Sequence, residues 1–173
     1  RMDQPPMKWN AWGDPAAAKP LSAGILTLLQ QALGVDDTPV PAVRLEDVRL
    51  RPSTLSAADR TALKAIVGEP NVADDDAARL LRAGGKSTPD LLRRKDSDPQ
   101  DAPDAVVTPG SDDEIAEVLR YCSQQRIAVV PFGGGTSVVG GLDPDRGEFG
   151  AVISLDLRRF DQLLSLDEIS GEA

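Results

Sequence analysis

Residues 127–142 read Ile-Ala-Val-Val-Pro-Phe-Gly-Gly-Gly-Thr-Ser-Val-Val-Gly-Gly-Leu, and this stretch decides the fold class. Its first part, Ile127–Phe132, is an apolar run rich in β-branched residues, which predicts a strand covered on both faces. From Gly133 onwards it holds five of the chain's fifteen glycines within nine residues and carries no charge. A loop without side chains lets backbone N–H groups approach an anion closely, so this loop is a candidate phosphate site.

The segments on either side predict a helix and further strands. Residues 105–109 form a short predicted strand, and Ser111 caps the next helix with Glu114 at the capping-box position. The buried stripe of that helix is predicted to be Ile115, Val118, Leu119 and Cys122. Residues 151–157 predict another strand, and residues 160–170 a strand or hairpin. Strand, helix and strand in this order imply a right-handed parallel crossover, so the predicted fold class is α/β.

The first hundred residues predict short helices and extended links, with no internal repeat. Pro39 and Pro41 enforce one such link. Three helices are expected: one between Ser22 and Gly34, one over Ala57–Val67 between Ser56 and Gly68, and one from the aspartates 74–76 through Leu80 and Leu81. Both tryptophans, Trp9 and Trp12, precede these helices and suggest an anchor that packs onto something else.

Charge separates the chain into two halves. Nineteen basic against 28 acidic residues give a net charge of −9, so neither nucleic acid nor an anionic membrane surface is an expected partner. Residues 1–95 carry 14 basic and 12 acidic residues (+2), whereas residues 96–173 carry 5 and 16 (−11). No apolar run exceeds about six residues, which places the sequence outside the transmembrane class.

Cysteine and histidine usage limits the chemistry. The single cysteine, Cys122, rules out an internal disulfide and fits a reducing compartment, so we expect a cytoplasmic protein in which this thiol acts as a small hydrophobe. With no histidine, the chain lacks His-based metal sites and His-activated nucleophiles, and no metal is expected. The ends, Arg1-Met2 and Ser170 to Ala173, suggest a fragment of a longer protein.

A second glycine-rich stretch competes as a phosphate site. Residues 83–87, Ala-Gly-Gly-Lys-Ser, end like a nucleotide-binding P-loop. However, Leu80 stands where the first glycine of that motif is required, and no strand is predicted before it. The sequence therefore favours a helix C-cap glycine at this place.

The loop at 133–141 also differs from the known nucleotide motifs. Val138 stands where the third glycine of the Rossmann fingerprint is required, and no lysine follows Gly140 as in a P-loop. Its N–H groups could form an anion-binding nest, with hydroxyl donors from Thr136 and Ser137. The alternative is a flexible hairpin or linker, and spacing alone does not decide between the two.

Residues 131–137, Pro-Phe-Gly-Gly-Gly-Thr-Ser, resemble the flavin-diphosphate loop of the vanillyl-alcohol-oxidase (PCMH) type of FAD-binding domain, where a Pro-x-Gly-x-Gly-x-Ser pattern also follows a strand. Together with residues 7–13, Met-Lys-Trp-Asn-Ala-Trp-Gly, the loop is similar to the alkylglycerone-phosphate (alkyl-dihydroxyacetonephosphate) synthases. The similarity continues in collinear order through residues 102–107, 127–141 and 153–156, so it covers most of the chain.

This resemblance implies a helical N-terminal extension over residues 1–100 and the first lobe of a PCMH-type FAD-binding domain over residues 101–173. It implies FAD as a non-covalently bound cofactor, because no histidine is present to tether it. No catalytic residue is carried over, since the second lobe and the substrate cap are not in the sequence. The implied cofactor-binding residues are Pro131, Phe132, Gly133, Gly134, Gly135, Thr136, Ser137, Gly140 and Gly141.

The function that the resemblance implies is exchange of an acyl for an alkyl group on acyl-glycerone phosphate, in ether-lipid synthesis. The substrate would be a small lipid-like molecule, the enzyme could be a homodimer, and this segment alone would be inactive. One alternative is an FAD-dependent oxidase or dehydrogenase of 2-hydroxy acids, which uses the same first lobe. A non-enzymatic alternative is an acidic interaction module whose glycine loop binds nothing.

Overall fold

A computed structural model describes residues 8–36, 43–95 and 99–172. Pro39 and Pro41 lie outside these residues, so the link predicted there is not tested. Within the described residues the helices are α1 (Ala23–Leu33), α2 (Ala57–Val67), α3 (Asp76–Leu80), α4 (Thr88–Arg93) and α5 (Asp112–Gln125). The strands are β1 (Val72–Ala73), β2 (Ala105–Val107), β3 (Ile127–Phe132) and β4 (Ala151–Asp156), and short 3-10 helices span Pro15–Ala17, Leu45–Asp47 and Glu69–Asn71.

The four strands form one mixed sheet in the order β1-β2-β4-β3. Both β2 and β3 run parallel to β4, since Ala105 and Val129 align with Ile153 from opposite sides. The predicted parallel arrangement of the α/β fold is therefore confirmed. β1 joins β2 antiparallel, with Val72 opposite Val107. The sheet thus draws on residues from both sides of position 100, and the division into extension and lobe stays a prediction.

The expectation that β3 is covered on both faces was wrong. All six residues of β4 are buried, whereas in β3 Val129 and Val130 are only half-buried and Pro131 is exposed. The cause is topological, because β4 follows in sequence but enters the sheet between β2 and β3 and leaves β3 at the edge. An edge strand tolerates a proline, which cannot donate to the ladder. A run of β-branched residues predicts a strand but not its place in the sheet.

The apolar core lies between the sheet and the helices α2 and α5. Val118 and Cys122 of α5 lie one turn apart and are 0% and 1% exposed, and they pack in one cluster with Leu63 and Ile153. Burial raises the pKa of Cys122 to about 11, so this thiol is the small hydrophobe that the sequence predicts. Leu119 was wrongly placed on the buried stripe: it is 45% exposed, because burial of Val118 and Cys122 turns it to the side of the helix.

Helix termini follow the predicted capping residues. The side chains of Ser22, Ser56 and Ser111 accept hydrogen bonds from the third residue after each. The Glu114 carboxylate, however, accepts from the Gly110 N–H at 2.7 Å instead of from Ser111, so the predicted capping box is not closed. α3 is capped by Asp75 and ends at Leu80, next to the predicted end. Across the described residues, no helix is long and apolar enough to cross a membrane.

The strand or hairpin predicted over residues 160–170 is not formed. One antiparallel bridge joins Asp167 and Glu172, and the carboxylate of Asp167 accepts from the Ile169 N–H at 2.9 Å. Leu164 and Ile169 are 90% and 99% exposed. Apolar residues in an extended segment become part of a sheet only when another strand pairs with them, and the described residues supply no such strand here.

Candidate functional site

The glycine loop, which we define as residues 133–142, leaves β3 at the carboxyl edge of the parallel strands. Asp156 ends β4 at the same edge, where it is aligned with Phe132. In open α/β proteins, ligands bind in the crevice outside the carboxyl ends of the strands. The fold therefore places the predicted cofactor residues at the edge where an α/β sheet normally receives a ligand.

Two glycines of the loop are required by the fold itself. Gly135 has a φ of +70°, and a β-carbon on it would lie 2.6 Å from Cζ of the Phe132 ring. Gly140 has a φ of +76°. Residues with a side chain rarely adopt this left-handed backbone, so these two glycines shape the loop whatever it binds.

Gly133 and Gly134 have no such internal reason to be glycine. Neither has a φ in the left-handed region, and both are exposed. A β-carbon on Gly133 would meet nothing within 4 Å, and one on Gly134 would meet only Cγ2 of Thr136, at 3.9 Å. The space in front of these two residues is open, as a ligand that approaches the backbone closely would require.

The loop offers hydrogen-bond donors that the fold does not use. Among the described residues, no backbone N–H from Gly133 to Leu142 donates a hydrogen bond to another part of the protein. Thr136 is exposed and Ser137 half-buried, so hydroxyl groups accompany these N–H groups. Successive free N–H groups in a glycine-rich turn form a concave site for an anion. These donors and the open backbone suit a diphosphate.

A charged cluster lies beside the loop. Arg82 donates from Nε and Nη2 to the Asp156 carboxylate at 3.0 and 2.7 Å, and its guanidinium is 5.2 Å from the centre of the Phe132 ring. Arg158 donates to the same carboxylate at 2.7 Å. Burial raises the pKa of Asp156, and the charge and hydrogen bonding of Arg82 oppose that rise. Two guanidinium groups against one carboxylate leave this cluster with one positive charge in excess, beside the Phe132 ring that precedes the glycine loop.

The sequence does not indicate that these charged residues form a cluster. Arg82 is 74 residues from Asp156 along the chain and lies in the half assigned to helices. No spacing pattern links the two, so nothing in the sequence alone could have paired them. The one part of the cluster that is close in sequence is the pair of Asp156 and Arg158, since Arg158 lies two residues after the strand that ends at Asp156.

The Gly-Lys-Ser stretch at residues 85–87 is neither a phosphate-binding loop nor the C-terminal cap of a helix. α3 ends at Leu80 and its C-cap is Leu81, so Gly84 is not the helix cap that was expected. Lys86 is 7% exposed, and its ammonium donates to the backbone carbonyls of Lys8, Trp9 and Ala11. Burial, and after it the charge of Arg94, lowers the pKa of Lys86 to about 8. This ammonium is already occupied and does not serve a phosphate.

The tryptophan segment packs back onto the chain. We call residues 8–13 the strap; the Lys8 N–H donates to the Gly13 carbonyl at 3.0 Å and closes it as a turn. The indole N–H of Trp12 donates to the Lys86 carbonyl at 2.9 Å. The anchor predicted from the two tryptophans therefore lies against the Gly-Lys-Ser stretch of the same chain. Met7, the first residue of the matching sequence pattern, lies outside the described residues.

Comparison with known proteins identifies the family. The FAD binding domain family model matches residues 103–173. Protein Rv2250A of Mycobacterium tuberculosis is 61% identical over 106 residues, which are 61% of this chain and 71% of that protein. The chain belongs to this FAD-binding family. The alkyldihydroxyacetonephosphate synthase of Trypanosoma brucei brucei is 30% identical over 189 aligned positions, covering 96% of this chain and 31% of the synthase.

The structural comparison agrees with the sequence comparison. A solved alkyldihydroxyacetonephosphate synthase has a TM-score of 0.77 with this FAD-binding chain at 27% identity, covering 94% of this chain and 34% of the solved one. Glycolate oxidase subunit GlcD of Bacillus subtilis is 35% identical over 103 residues, 60% of this chain and 19% of that protein. The resemblance predicted from the sequence is confirmed. The chain spans about a third of the length of the synthases that it matches.

Proposed function

We propose that the glycine loop of this FAD-binding chain holds the diphosphate of FAD. The observation that carries the proposal is the open backbone at Gly133 and Gly134, which the fold does not require to be glycine, next to N–H groups that donate to nothing else among the described residues. The residues proposed to contact or shape this site are Pro131, Phe132, Gly133, Gly134, Gly135, Thr136, Ser137, Gly140 and Gly141.

The electrostatics support an anion at this place without a lysine in the loop. Backbone N–H groups carry partial positive charge, and the hydroxyls of Thr136 and Ser137 add donors that are strongest toward a charged oxygen. The excess positive charge of Arg82 and Arg158 over Asp156 lies beside the same loop. Bound FAD would supply the flavin ring for the reaction, whereas this loop would hold and orient the diphosphate.

For the complete enzyme we propose a synthase-like reaction, the exchange of an acyl for an alkyl group on acyl-glycerone phosphate. The support is the extent of the similarity: the Trypanosoma synthase aligns along 96% of the chain, including the strap, whereas GlcD aligns along 60%. The GlcD match keeps FAD-dependent oxidation of 2-hydroxy acids as the second candidate. We assign no catalytic residue to this chain, and we expect the chain alone to be inactive.

The diphosphate proposal is tested on the chain itself by NMR. Titration with FAD or ADP should shift the backbone amide signals of residues 133–141, whereas riboflavin, which lacks a diphosphate, should not. The dissociation constant should lie above the micromolar range, because a single loop covers little of a ligand that pockets normally bury almost completely. Loop amides that stay unmoved at millimolar FAD and ADP would refute the proposal.

The two reactions are distinguished in the complete gene product. A 2-hydroxy acid dehydrogenase would be reduced by glycolate or lactate without oxygen, and its yellow absorbance would bleach. A synthase would release fatty acid from acyl-glycerone phosphate when a fatty alcohol is added, without net reduction. Bleaching by hydroxy acids together with no fatty acid release would overturn the synthase assignment.

We further propose that FAD is bound non-covalently, in a cytoplasmic enzyme. The lack of histidine in the sequence supports non-covalent binding, because no imidazole of this chain is present to tether the flavin. The single, buried, free thiol of Cys122 supports a reducing compartment. Acid precipitation of the complete gene product should leave the yellow chromophore in solution. Colour that stays with the pellet would show a covalent bond.

A further inference from the structure

The strap is held to the protein mainly through one side chain. The Lys86 ammonium donates to the carbonyls of Trp9 at 3.3 Å, of Ala11 at 2.9 Å and of Lys8. Arg94 adds a hydrogen bond to the Trp9 carbonyl and another, at 2.7 Å, to the Gly84 carbonyl. Both cations are buried, so these carbonyls satisfy groups that would otherwise lack water and a partner. Removing the Lys86 ammonium would therefore take away three hydrogen bonds to the strap and leave it with those from Arg94 and Trp12, so the strap would be loosened.

The backbone of the same short segment holds the glycine loop. The Lys86 N–H donates to the Ser137 carbonyl at 2.6 Å. Gly85 lies so close that a β-carbon on it would overlap the Ser137 carbonyl oxygen. Residue 86 therefore contacts the strap with its side chain and the loop with its N–H.

The contact at Ser137 determines the direction of a loop donor. In a trans peptide the C=O and the following N–H point to opposite sides of one rigid plane. When the Lys86 N–H binds the Ser137 carbonyl, the N–H of Val138 must point away from segment 84–86. Among the described residues the Val138 N–H donates to no protein acceptor, so this donor is available on the side of the loop that faces away from residues 84–86.

We propose that the strap is a positioning element for the glycine loop, and that Lys86 and Gly85 couple the two. The strap fixes Lys86 from one side, and Lys86 fixes the Ser137 peptide from the other, so that the loop donors are directed before any ligand arrives. That the aligned donors serve an FAD diphosphate rests on the proposed function; the coupling itself does not. The Gly-Lys-Ser stretch is thus a positioning segment behind the phosphate site.

Two variants with matched controls test the coupling in the free chain. Lys86→Met keeps the aliphatic stem and removes the ammonium; its control, Lys64→Met, removes a surface ammonium that pairs with Glu69 at 3.3 Å. Gly85→Ala places a β-carbon against Ser137; its control, Gly150→Ala, meets nothing within 4 Å. Should Lys86→Met fail to fold, Trp12→Phe removes the indole N–H that binds the Lys86 carbonyl and keeps a smaller aromatic ring at that place.

The readouts separate the strap from the loop. Tryptophan emission reports on the strap alone, because both tryptophans of the chain lie in it. Amide NMR signals of residues 133–141 report on the loop. Lys86→Met should change both, Gly85→Ala should shift the loop signals, and Trp12→Phe should shift them as well, whereas neither control should. Loop signals that stay in place in Lys86→Met and Trp12→Phe would overturn the coupling.

The FAD titration then decides a separate question. With the coupling present and the wild-type chain binding FAD, Lys86→Met should weaken binding at least about tenfold, which corresponds to about 1.4 kcal/mol. The loop signals could move in Lys86→Met and Trp12→Phe while the wild-type chain does not respond to FAD or ADP. That result would support the positioning role of the strap and refute the proposed ligand. Unchanged affinity in a Lys86→Met chain whose loop signals have moved would overturn the positioning of the diphosphate donors.

Discussion

Replacing Gly134 and Gly135 separately by valine distinguishes a ligand contact from a requirement of the fold. At Gly134 the backbone is not left-handed and the nearest atom to a β-carbon is 3.9 Å away, so Gly134→Val should change the free energy of unfolding by no more than about 0.5 kcal/mol. At Gly135 the φ of +70° costs a side chain about 1–2 kcal/mol, and the 2.6 Å approach to Phe132 adds about 1–3 kcal/mol of overpacking. The free energy of unfolding of Gly135→Val should therefore be about 2–5 kcal/mol lower than that of the wild type.

Urea denaturation followed by circular dichroism measures the stabilities, and the FAD and ADP titrations by NMR measure binding. Gly134→Val should fold normally and lose the ligand-induced shifts, because its side chain would fill the space that the diphosphate needs. Gly150→Val is the control, and it should keep both stability and binding. A folded Gly134→Val chain that binds FAD and ADP like the wild type would show that no diphosphate lies against Gly134. A Gly135→Val chain of unchanged stability would show that the fold does not require glycine at that position.

Three further predictions follow from the same contacts. Thr136→Ala and Ser137→Ala each remove one donor, so each should fold and bind FAD more weakly by about 0.5–3 kcal/mol in the NMR titration; full affinity in both would exclude the hydroxyls from the site. Because burial lowers the pKa of Lys86 to about 8, the unfolded chain binds more protons above that pH. Stability relative to Lys86→Met should therefore rise between pH 8 and 10 by up to about 1.4 kcal/mol per pH unit, and equal pH slopes would contradict this. Arg82→Met should lower the free energy of unfolding, measured by urea denaturation, by about 1–3 kcal/mol. The loss is smaller than for a buried carboxylate left without any partner, because Arg158 still pairs with Asp156. An unchanged urea midpoint would show that the Arg82–Asp156 pair does not stabilise the fold.

Local features of the chain could be predicted because their causes are local. Ser22 and Ser56 cap their helices by reaching three residues ahead, and Gly34 and Gly68 end them, so these boundaries follow from short sequence patterns. The exposure of Leu119 and the half-burial of Val129 could not be predicted in the same way. Both depend on which element packs against them, and that element is distant in sequence.

The candidate site also combines features that are local in sequence with features that depend on tertiary contacts. Consecutive residues are enough to show that an uncharged glycine-rich loop follows a strand, and that the loop and the tryptophan segment resemble one family of flavoproteins. Composition is enough to show that the sequence contains no histidine. Three-dimensional contacts are needed to show that Phe132 constrains Gly135 but not Gly134, and that Lys86 connects the strap to Ser137. Gly135 and Phe132 are close in sequence, but their contact depends on the turn that the loop makes after β3. The contacts of Lys86 join residues more than fifty positions apart, which strand order and loop packing bring together and no sequence period encodes.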